Sequence, residues 1–330
     1  VDKIVIGLEN GVKVKTNLLN KFRIYNYKSN LQIIRRFIEI PYVCFKLKCT
    51  TVVTGFVSPF VSSIKRIIII HDIGYLKYPN YYDQFFLIKI KLLTKFSILF
   101  GASVVTVSKY SKSTISNYYK IAPEKINVVY NGVDSNKYFP INSHHDNSIL
   151  DKYSIKNNFI LFVGTLQPRK NINGIIEAFS EARQNIDKEI SLIMIGKNGW
   201  GVEKELKKIN SNANILHLNK ISDDELPIFY RNAECFIYPS YYEGFGIPII
   251  EAMASGIPVI TSNNSSLPEI AGDAAILIDP QNIKAISKAI VKLINNIELQ
   301  RSLIKRGLNQ SKLFNWDYSA EEFKKVLIWE

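Results

Sequence analysis

Short runs of apolar, mostly β-branched residues alternate along the chain with longer segments whose apolar positions have helical spacing. Each run is too short for a typical helix and too apolar for a surface loop, which is the pattern of buried strands in a parallel sheet covered by helices. The first half has such runs at Lys3–Leu8, Thr51–Gly55, Ile67–Ile70, Ser103–Val107 and Ile126–Val129, and the second at Phe159–Val163, Leu192–Ile195, Ile215–Leu218, Cys235–Tyr238, Val259–Thr261 and Ala275–Ile278. The rhythm restarts once, so the chain is predicted to form two α/β domains.

A polar stretch rich in turn formers separates the two halves. It includes Asn131–Asp134, Pro140 and residues 142–148, and it lacks an apolar periodicity. We therefore expect a first domain over residues 1–145 and a second over residues 146–312. Two such domains joined at one hinge predict a cleft in which ligands bind at the carboxyl ends of the strands.

The excess positive charge of the chain lies in its first half. The formal net charge is +13, and residues 1–150 contain 21 Lys and Arg against 8 Asp and Glu, whereas the remainder contains 21 of each. A basic domain attracts an anionic partner, either nucleic acid or the anionic cytoplasmic leaflet of a membrane, unless the excess reflects compositional drift. The segment Phe85–Phe100, which carries Lys89, Lys91 and Lys95, is either a half-buried core helix, the commoner case, or a basic membrane-docking helix. No nucleic-acid recognition motif is present, so we expect peripheral contact with an anionic membrane and no nucleic acid.

Several classes of protein are disfavoured by what the sequence lacks. The three cysteines have no CxxC spacing, which disfavours a disulfide framework and a cysteine zinc site and favours a reducing cytosol. No signal-peptide pattern and no apolar run of about 18 residues occurs, so we expect a cytoplasmic protein that does not span the membrane. Four scattered histidines and no clustered carboxylates predict no metal site. The Walker, GxGxxG and GxSxG motifs are missing, which disfavours P-loop, dehydrogenase and hydrolase chemistry.

The most informative local pattern is EGFGIPIIE at Glu243–Glu251, directly after a predicted strand. A proline in the first turn and Gly256 beyond the last turn predict a helix that starts after the glycines. Glycines let the backbone approach a ligand closely, and a helix N-terminus can hold a phosphate. The two glutamates can contact different hydroxyl groups of one long ligand. The alternative interpretation is a capped helix with a solvated glutamate.

A second pattern, GTLQPRKN at Gly164–Asn171, also follows a predicted strand and precedes the predicted helix Gly174–Ser180. Arg169 and Lys170 at a strand end can neutralise a diphosphate, Arg through its planar fork and Lys as a point charge. Exposed basic residues are common, but both patterns lie at strand ends of the same domain. Together they predict one phosphate-containing ligand.

These residues resemble the retaining, nucleotide-sugar-dependent glycosyltransferases of family 4 (glycosyl transferases group 1), of the type found in bacterial polysaccharide and O-antigen biosynthesis. The spacing of Glu243 and Glu251 matches the paired-glutamate motif of that family, and Gly164–Asn171 resembles its phosphate loop. The resemblance covers roughly residues 67–330, and further matching segments are Val107–Lys112, Asn131–Asp134, Ser222–Leu226, Leu267–Ile270 and Ile278–Pro280. It implies a GT-B fold, with an N-terminal acceptor domain, a C-terminal donor domain and a last helix, within residues 313–330, that crosses back to the first domain.

The resemblance also implies roles for individual residues in binding the donor. Glu243 would be a catalytic residue that contacts the hydroxyl groups of the donor sugar, with the backbone amides of Gly244, Phe245 and Gly246 beside the sugar and diphosphate. Glu251 would bind the ribose hydroxyls. The diphosphate would be held by Arg169 and Lys170, together with the loop residues Gly164 and Thr165, and these cations would replace a metal. Thr165 is a departure, because many members of the family have Arg at this position.

On the acceptor side the implied residues follow strands of the first domain. A lone histidine at a strand end, such as His71, is more often structural, but the resemblance makes His71 a second catalytic candidate that faces the transferred sugar. Asp72 is an acceptor-side candidate, or the cap of the segment that follows it. Gly11 belongs to a reduced glycine turn, Gly7–Val12, and is also an acceptor-side candidate.

The implied reaction moves a hexosyl unit from a nucleotide diphosphate sugar to a hydroxyl group of a saccharide or lipid-linked saccharide acceptor, with retention and without metal or cofactor. Mannosyl is the candidate sugar. The alternatives are another GT-B enzyme, namely a nucleotide-sugar epimerase or sugar phosphorylase, and a non-catalytic binder of sugar nucleotides or polyanions.

Overall fold

The computed structural model describes residues 4–8, 22–61, 63–140, 147–156 and 158–328, which group into two compact units. The first unit lies within residues 1–70, 75–105 and 124–127. The second lies within residues 71–74, 106–123 and 128–330. Two short segments from the first half of the sequence therefore belong to the second unit, and both contribute to the candidate site.

The first half of the chain forms two parallel sheets. Strand β1 (Val5–Leu8) pairs in parallel with β2 (Arg23–Asn26). A four-stranded sheet has the order β3-β4-β5-β6, with bounds Thr51–Gly55, Lys65–Ile69, Ser103–Thr106 and Ile126–Val128. Its central strands are apolar because helices and loops cover them, and Ile67 and Ile68 are fully buried.

The helices of this half are mostly short. They are α1 (Gln32–Ile34), a π-helix (Arg35–Glu39), α2 (Ile40–Lys46), α3 (Gly74–Lys77), α4 (Gln84–Leu99) and α5 (Lys109–Tyr119), with 3₁₀ turns at Pro79–Tyr81 and Pro123–Lys125. Helix α4 begins at Asp83, whose carboxylate accepts the N–H of Phe86 at 2.8 Å. Helix α5 begins in the same way at Ser108, whose hydroxyl accepts the N–H of Ser111 at 3.0 Å.

The second unit is built on a six-stranded parallel sheet of order β12-β11-β10-β7-β8-β9. The strands are β7 (Asn158–Val163), β8 (Ile190–Ile195), β9 (Ile215–Leu218), β10 (Cys235–Tyr238), β11 (Val259–Ser262) and β12 (Ala275–Ile278). Helices cover both faces, so successive residues of the central strands are buried whichever face they point to. Strands β7 and β10 are neighbours. The loops that follow them therefore meet at one edge of the sheet, which brings the two sequence patterns together.

The helices of the second unit connect these strands. They are α6 (Asn147–Lys152), α7 (Ile172–Arg183), α8 (Glu203–Asn210), α9 (Leu226–Asn232), α10 (Ile247–Ala254), α11 (Leu267–Ala271), α12 (Ile283–Ile294), α13 (Ile297–Ser311) and α14 (Trp316–Leu327), with a 3₁₀ turn at Pro168–Lys170. Helix α14 and the residues before it contact residues 130–133. The N–H of Val133 donates to the carbonyl of Phe314, which precedes the helix, at 3.0 Å, and Ser319 Oγ in the helix donates to the Tyr130 carbonyl at 2.6 Å. Among the described residues, no helix is both long and apolar enough to cross a membrane.

The predicted strands are confirmed, with bounds that differ by at most two residues and agree to the residue for β3, β9, β10 and β12. Strand β2 was not predicted, because its four residues begin with an arginine and end with an asparagine and have no apolar run. The predicted helices at Gly174–Ser180 and after the glycines of Glu243–Glu251 correspond to α7 and α10. Of the predicted linker at 142–148, residues 142–146 lie outside the described part, and helix α6 begins at Asn147. Cys44, Cys49 and Cys235 are free thiols.

Candidate active site

The site is formed by the loops after β7 and β10. The first loop bends at Gly164, passes through the 3₁₀ turn Pro168–Lys170 and ends at Asn171, whose side chain accepts the N–H of Gly174 and caps α7. The second loop runs from Pro239 to Gly246. The N–H of Tyr241 donates to the carbonyl of Arg169 at 2.9 Å, so the backbones of the two loops are directly joined.

A carboxylate lies between two cations in these loops. Glu243 Oε2 is 2.8 Å from Arg169 Nη1, and Glu243 Oε1 is 2.6 Å from Lys170 Nζ. The side chains of Glu243 and Lys170 are each 9% exposed and that of Arg169 is 20% exposed. Arg169 also donates to the carbonyl of Tyr242, and Lys170 to the hydroxyl of Tyr238. Water is largely excluded, so these interactions are stronger than surface ion pairs.

The electrostatics of the cluster keep Glu243 ionised. Burial by itself would raise the pKa of Glu243, but the charges and hydrogen bonds of Lys170 and Arg169 outweigh it and lower that pKa to about 2. Burial raises the pKa of Tyr238, which also forms a hydrogen bond with Glu243, well above its ordinary value. Arg169 and Lys170 both pair with the carboxylate of Glu243, and the negative charge of Asp72 attracts these two cations more weakly. An anionic group that approached the cations would therefore compete with Glu243.

The loop after β10 lies against residues 71 and 72, which belong to the same unit, and the closest approach is at Gly244. An added Cβ at Gly244 would lie 2.7 Å from Cβ of Asp72 and 2.9 Å from the carbonyl oxygen of His71. A side chain at position 244 cannot be accommodated without moving this backbone, so the glycine is required for the close approach. The His71 side chain is exposed. Asp72 Oδ1 accepts the N–H of Gly74 at 2.7 Å, which agrees with the capping interpretation of this residue.

The backbone then turns into helix α10 at Gly246. Its φ of +111° suits glycine, and an added Cβ would lie 2.9 Å from Cδ2 of Leu267. The Phe245 side chain is buried between Tyr130 and Phe314, with ring centroids 6.2 and 5.6 Å away. Phe245 can therefore offer a ligand only its backbone. The N-terminus of α10 lies at the same strand ends as the cation pair.

Glu251 lies inside α10, in a different environment from Glu243. Tyr230 donates its hydroxyl to Glu251 Oε2 at 2.9 Å, and Tyr138 forms a second hydrogen bond. Burial raises the pKa of Glu251 above its ordinary value, although both tyrosine hydrogen bonds oppose the shift. The structure thus gives the two glutamates different partners, which are cations for Glu243 and phenol hydroxyls for Glu251.

The structure brings most of the predicted site residues together, and their roles stay predictions. The second unit contains His71, Asp72, Gly164, Thr165, Arg169, Lys170, Glu243, Gly244, Phe245, Gly246 and Glu251. Thr165 is exposed and follows Gly164 at the end of β7. Gly11 lies outside the described residues. Within the described ranges, no group of three or more His, Cys, Asp or Glu side chains is arranged to hold a metal ion.

Four residues that the sequence did not single out take part in the site. Tyr238 bonds to Lys170 and Glu243, and Ser108, Ser111 and Ser266 donate to the backbone of the loop that contains Glu243. The first two serines lie in Val107–Lys112, which the sequence matched to the family without assigning a role. The only local signal was a serine at a helix start. Their contact with residue 244 is too distant along the chain for spacing to indicate it.

Comparisons with known proteins cover both halves of the chain. The family model for Glycosyl transferases group 1 matches residues 148–310, and that for Glycosyltransferase Family 4 matches residues 14–137. The O-antigen chain mannosyltransferase B of Escherichia coli is 32% identical over 75% of this chain and 66% of that protein. The O-antigen chain mannosyltransferase RfbU of Salmonella typhimurium is 30% identical over 82% of this chain and 70% of that protein. This chain also matches the serotype-specific mannosyltransferase WbdA of Escherichia coli at 26% identity, but it spans only 32% of that longer protein.

Solved structures agree on the fold. The crystal structure of Anabaena HepE in complex with UDP and glucose superposes with a TM-score of 0.75 at 17% identity, covering 98% of this chain and 91% of that chain. The structure of WaaG, a glycosyltransferase involved in lipopolysaccharide biosynthesis, gives a TM-score of 0.73 at 16% identity, covering 94% and 87%. At these identities the similarity shows the fold alone. The predicted fold class, GT-B with two Rossmann-like parallel-sheet domains, is confirmed.

Proposed function

The chain belongs to the glycosyl transferases group 1 family of glycosyltransferases, and on this premise we propose that it transfers a hexosyl unit from a nucleotide diphosphate sugar to a hydroxyl group of a saccharide, with retention of configuration. The observation that carries the proposal is the cluster of Glu243, Arg169 and Lys170 at adjoining strand ends, beside the N-terminus of α10. Such a site offers two buried positive charges to a diphosphate and a carboxylate to sugar hydroxyls.

In the proposed reaction, the bond between the anomeric carbon of the sugar and the diphosphate oxygen breaks and a bond to the acceptor oxygen forms. The acceptor hydroxyl loses its proton, and the nucleoside diphosphate leaves with the additional negative charge. Arg169 and Lys170 would stabilise that developing charge, because they are already positioned and largely dry before the donor binds. These two cations can supply the charge that a metal supplies elsewhere, so we propose a reaction without metal or cofactor.

The remaining assignments concern the sugar, the nucleotide and the acceptor. We propose a mannosyl donor because the relatives described above are named mannosyltransferases. Glu251 would accept hydrogen bonds from the hydroxyl groups of the ribose, while Tyr230 donates to its Oε2. His71 and Asp72 would face the transferred sugar and the acceptor. The acceptor would be a saccharide or a lipid-linked saccharide, because relatives of this chain are named O-antigen chain mannosyltransferases.

The donor site can be tested by thermal unfolding in the presence of nucleoside diphosphates and their sugars. We expect one nucleotide, added with EDTA at about 100 times its Kd, to stabilise the folded chain by about 2.7 kcal/mol through mass action. Release of nucleoside diphosphate from the matching sugar nucleotide should then rise when octyl α-mannoside is added as a saccharide acceptor. Formation of an epimerised sugar nucleotide, or cleavage that requires orthophosphate, would instead show another GT-B enzyme. Stabilisation without turnover would show a binding protein, and no stabilisation by any nucleotide would overturn the donor site.

Helix α4 of the first unit presents an apolar face to solvent. Phe85, Ile88, Leu92, Phe96 and Leu99 are 75%, 58%, 51%, 46% and 68% exposed, and their spacing places them on one side of the helix. The opposite side buries Leu87, Thr94 and Ser97, and the Ser97 hydroxyl accepts the N–H of Ser58 at 2.9 Å. The helix is therefore half-buried, but most of its large apolar side chains lie on the exposed side.

This face continues across neighbouring aromatic residues and lies in the positively charged half of the chain. The exposed ring of Phe60 contacts Phe100 and Phe37, each with a centroid distance of 5.6 Å. Lys95 is exposed between the apolar positions, and the first half of the chain carries the whole net charge. We propose that this surface docks on the anionic phospholipids of a membrane, at its cytoplasmic face, with the apolar side chains in the headgroup region.

Vesicle sedimentation tests this docking surface. Replacing Leu92 and Leu99 together by serine should lower binding to vesicles of mixed phosphatidylglycerol and phosphatidylcholine at least about tenfold, because two apolar side chains no longer enter the interface. The matched control replaces Ile297 and Leu313, exposed apolar residues of the second unit, by serine and should bind as the parent does. Equal vesicle binding by the two variants would contradict the proposal. So would binding of the parent chain to vesicles of phosphatidylcholine alone that equals its binding to the mixed vesicles. Concentration-dependent dimerisation without vesicles, lost in the first variant, would show a second copy to be the partner instead.

A further inference from the structure

Three consecutive carbonyl groups of the loop that contains Glu243 accept hydrogen bonds from buried serines. The single O–H of Ser266 is shared between the carbonyls of Glu243, at 2.9 Å, and Phe245, at 3.0 Å. The carbonyl of Gly244, between them, accepts from Ser108 Oγ at 2.7 Å and from Ser111 Oγ at 3.2 Å. All three serines are 0% exposed. Hydrogen bonds from the starts of α5 and α11 therefore fix the orientation of these peptide groups.

The fixed carbonyls determine where the adjoining N–H groups point. A trans peptide is planar, and its C=O and N–H point in opposite directions. The carbonyls of Glu243, Gly244 and Phe245 belong to the same peptide units as the N–H groups of Gly244, Phe245 and Gly246. Each of those N–H groups points away from the serine that is bound to its own peptide unit, and none of the three donates to a residue in the described part of the chain. Successive N–H groups without a protein partner can bind an anion when a turn brings them together.

The serines are themselves held in position by one carboxylate. Glu269 accepts the N–H groups of Lys109 and Tyr110 at 2.8 and 3.0 Å, and the hydroxyl of Tyr130 at 2.8 Å. It thereby fixes the first turn of α5, which directly follows Ser108. Glu269 lies in α11, the helix that begins after Ser266. Helices α5 and α11 thus hold the loop by side chains whose own positions are coupled.

We propose that Ser108, Ser111 and Ser266 are positioning residues that aim the N–H groups of residues 244–246 at the anionic oxygens of the donor. This rests on the proposed function and deepens it, since the serines touch neither the donor nor the reacting atoms. Donors that are oriented before the reaction stabilise a developing charge without reorganisation, whereas a free loop must be ordered when the ligand binds. The serines therefore act on diphosphate recognition and on turnover, and not on recognition of the base.

The test compares two buried serines that make the same kind of hydrogen bond. Ser266→Ala removes both contacts with the loop, whereas Ser116→Ala removes a 2.7 Å bond from a buried serine to the carbonyl of Ile121, at the far end of α5 from the loop. Calorimetry would measure the binding of GDP, UDP, guanosine and uridine to the parent chain and to each full-length variant. We expect Ser266→Ala to weaken the binding of the preferred nucleoside diphosphate about tenfold and to lower kcat, with binding of the nucleoside unchanged within about twofold. Ser116→Ala should leave the binding of both ligands and kcat within about twofold of the parent chain.

The outcomes separate this inference from the proposed function. If the parent chain binds none of these nucleotides, the proposed function fails and the inference with it. If the parent binds a nucleotide and Ser266→Ala weakens the binding of the nucleoside diphosphate and of the nucleoside equally, or weakens neither, the positioning role is overturned and the donor site stands. Ser108→Ala, which retains the Ser111 bond to Gly244, is the second variant and should show a smaller loss of the same kind should Ser266→Ala fail to fold.

Discussion

Replacing Glu243 by glutamine is expected to reduce transfer about a hundredfold or more while it tightens the binding of the free nucleoside diphosphate. The loss of transfer follows from removing a preorganised charge at the reacting sugar. The tighter binding follows from the ion pairs: Glu243 lies 2.8 and 2.6 Å from the two cations, and neutralising it leaves their charge available to the diphosphate. We expect about a tenfold lower Kd for the preferred nucleoside diphosphate, which calorimetry would measure. An assay of sugar-nucleotide turnover would measure the loss of transfer.

Glu251→Gln is the matched control for this result. It neutralises the other glutamate of the motif, whose partners are the hydroxyls of Tyr230 and Tyr138 and not cations. It should therefore leave diphosphate binding no tighter than in the parent chain. Weaker binding of nucleoside diphosphate to Glu243→Gln, in a variant that remains folded, would contradict the competition between Glu243 and the ligand.

Replacing Lys170 by methionine is expected to abolish detectable donor binding and to destabilise the fold in a pH-dependent way. The pKa of Glu243 is lowered to about 2 from an ordinary value of 4.5. A carboxyl whose pKa is lowered by folding contributes stability that is present above the unfolded-state pKa and is lost as the pH falls towards the folded-state pKa. At roughly 1.4 kcal/mol per pKa unit this contribution is about 3 kcal/mol at neutral pH, and Lys170→Met removes a large part of it.

Urea unfolding at several pH values would measure the effect. The difference in unfolding free energy between the parent and Lys170→Met should be largest at pH 7 and should shrink as the pH falls from about 4.5 towards 2. Lys207→Met, which replaces an exposed lysine of helix α8, should unfold as the parent does at every pH. A difference that is constant with pH would mean that Lys170 stabilises the fold by packing and not through Glu243.

The sequence predicted the position of the site because the relevant signals are local. Strands β9 and β10 were predicted to the residue, since short apolar runs between turn formers have few other interpretations. The helix after Gly246 was predicted from Pro248 in its first turn, the helical residues that follow and Gly256 at its end. Parallel strands end at a common edge, so the positions of the two loops along the chain were enough to place them together.

What the sequence could not indicate depends on contacts between distant segments. The bond from Ser108 to Gly244 joins residues 136 positions apart, and no spacing rule relates them. The ion pairs of Glu243 with Arg169 and Lys170 were missed for the same reason. The sequence suggests a ligand group for each of these three side chains, but it does not indicate that they pair with each other. The outward face of α4 is a related case: periodicity finds an apolar stripe but does not tell whether the stripe faces the core or the solvent.

The arrangement of Arg169, Lys170 and Glu243 also limits how the protein can evolve. Each side chain takes part in an ion pair in a largely dry environment, so losing any one of them removes at least one such pair, and losing Glu243 removes the shared partner of both cations. A lineage that lost one of the three would pass through a less stable ancestor unless a second substitution arose with it. Natural variants are therefore expected to retain or exchange the three as a set, and changes in sugar preference to accumulate at exposed positions such as Thr165.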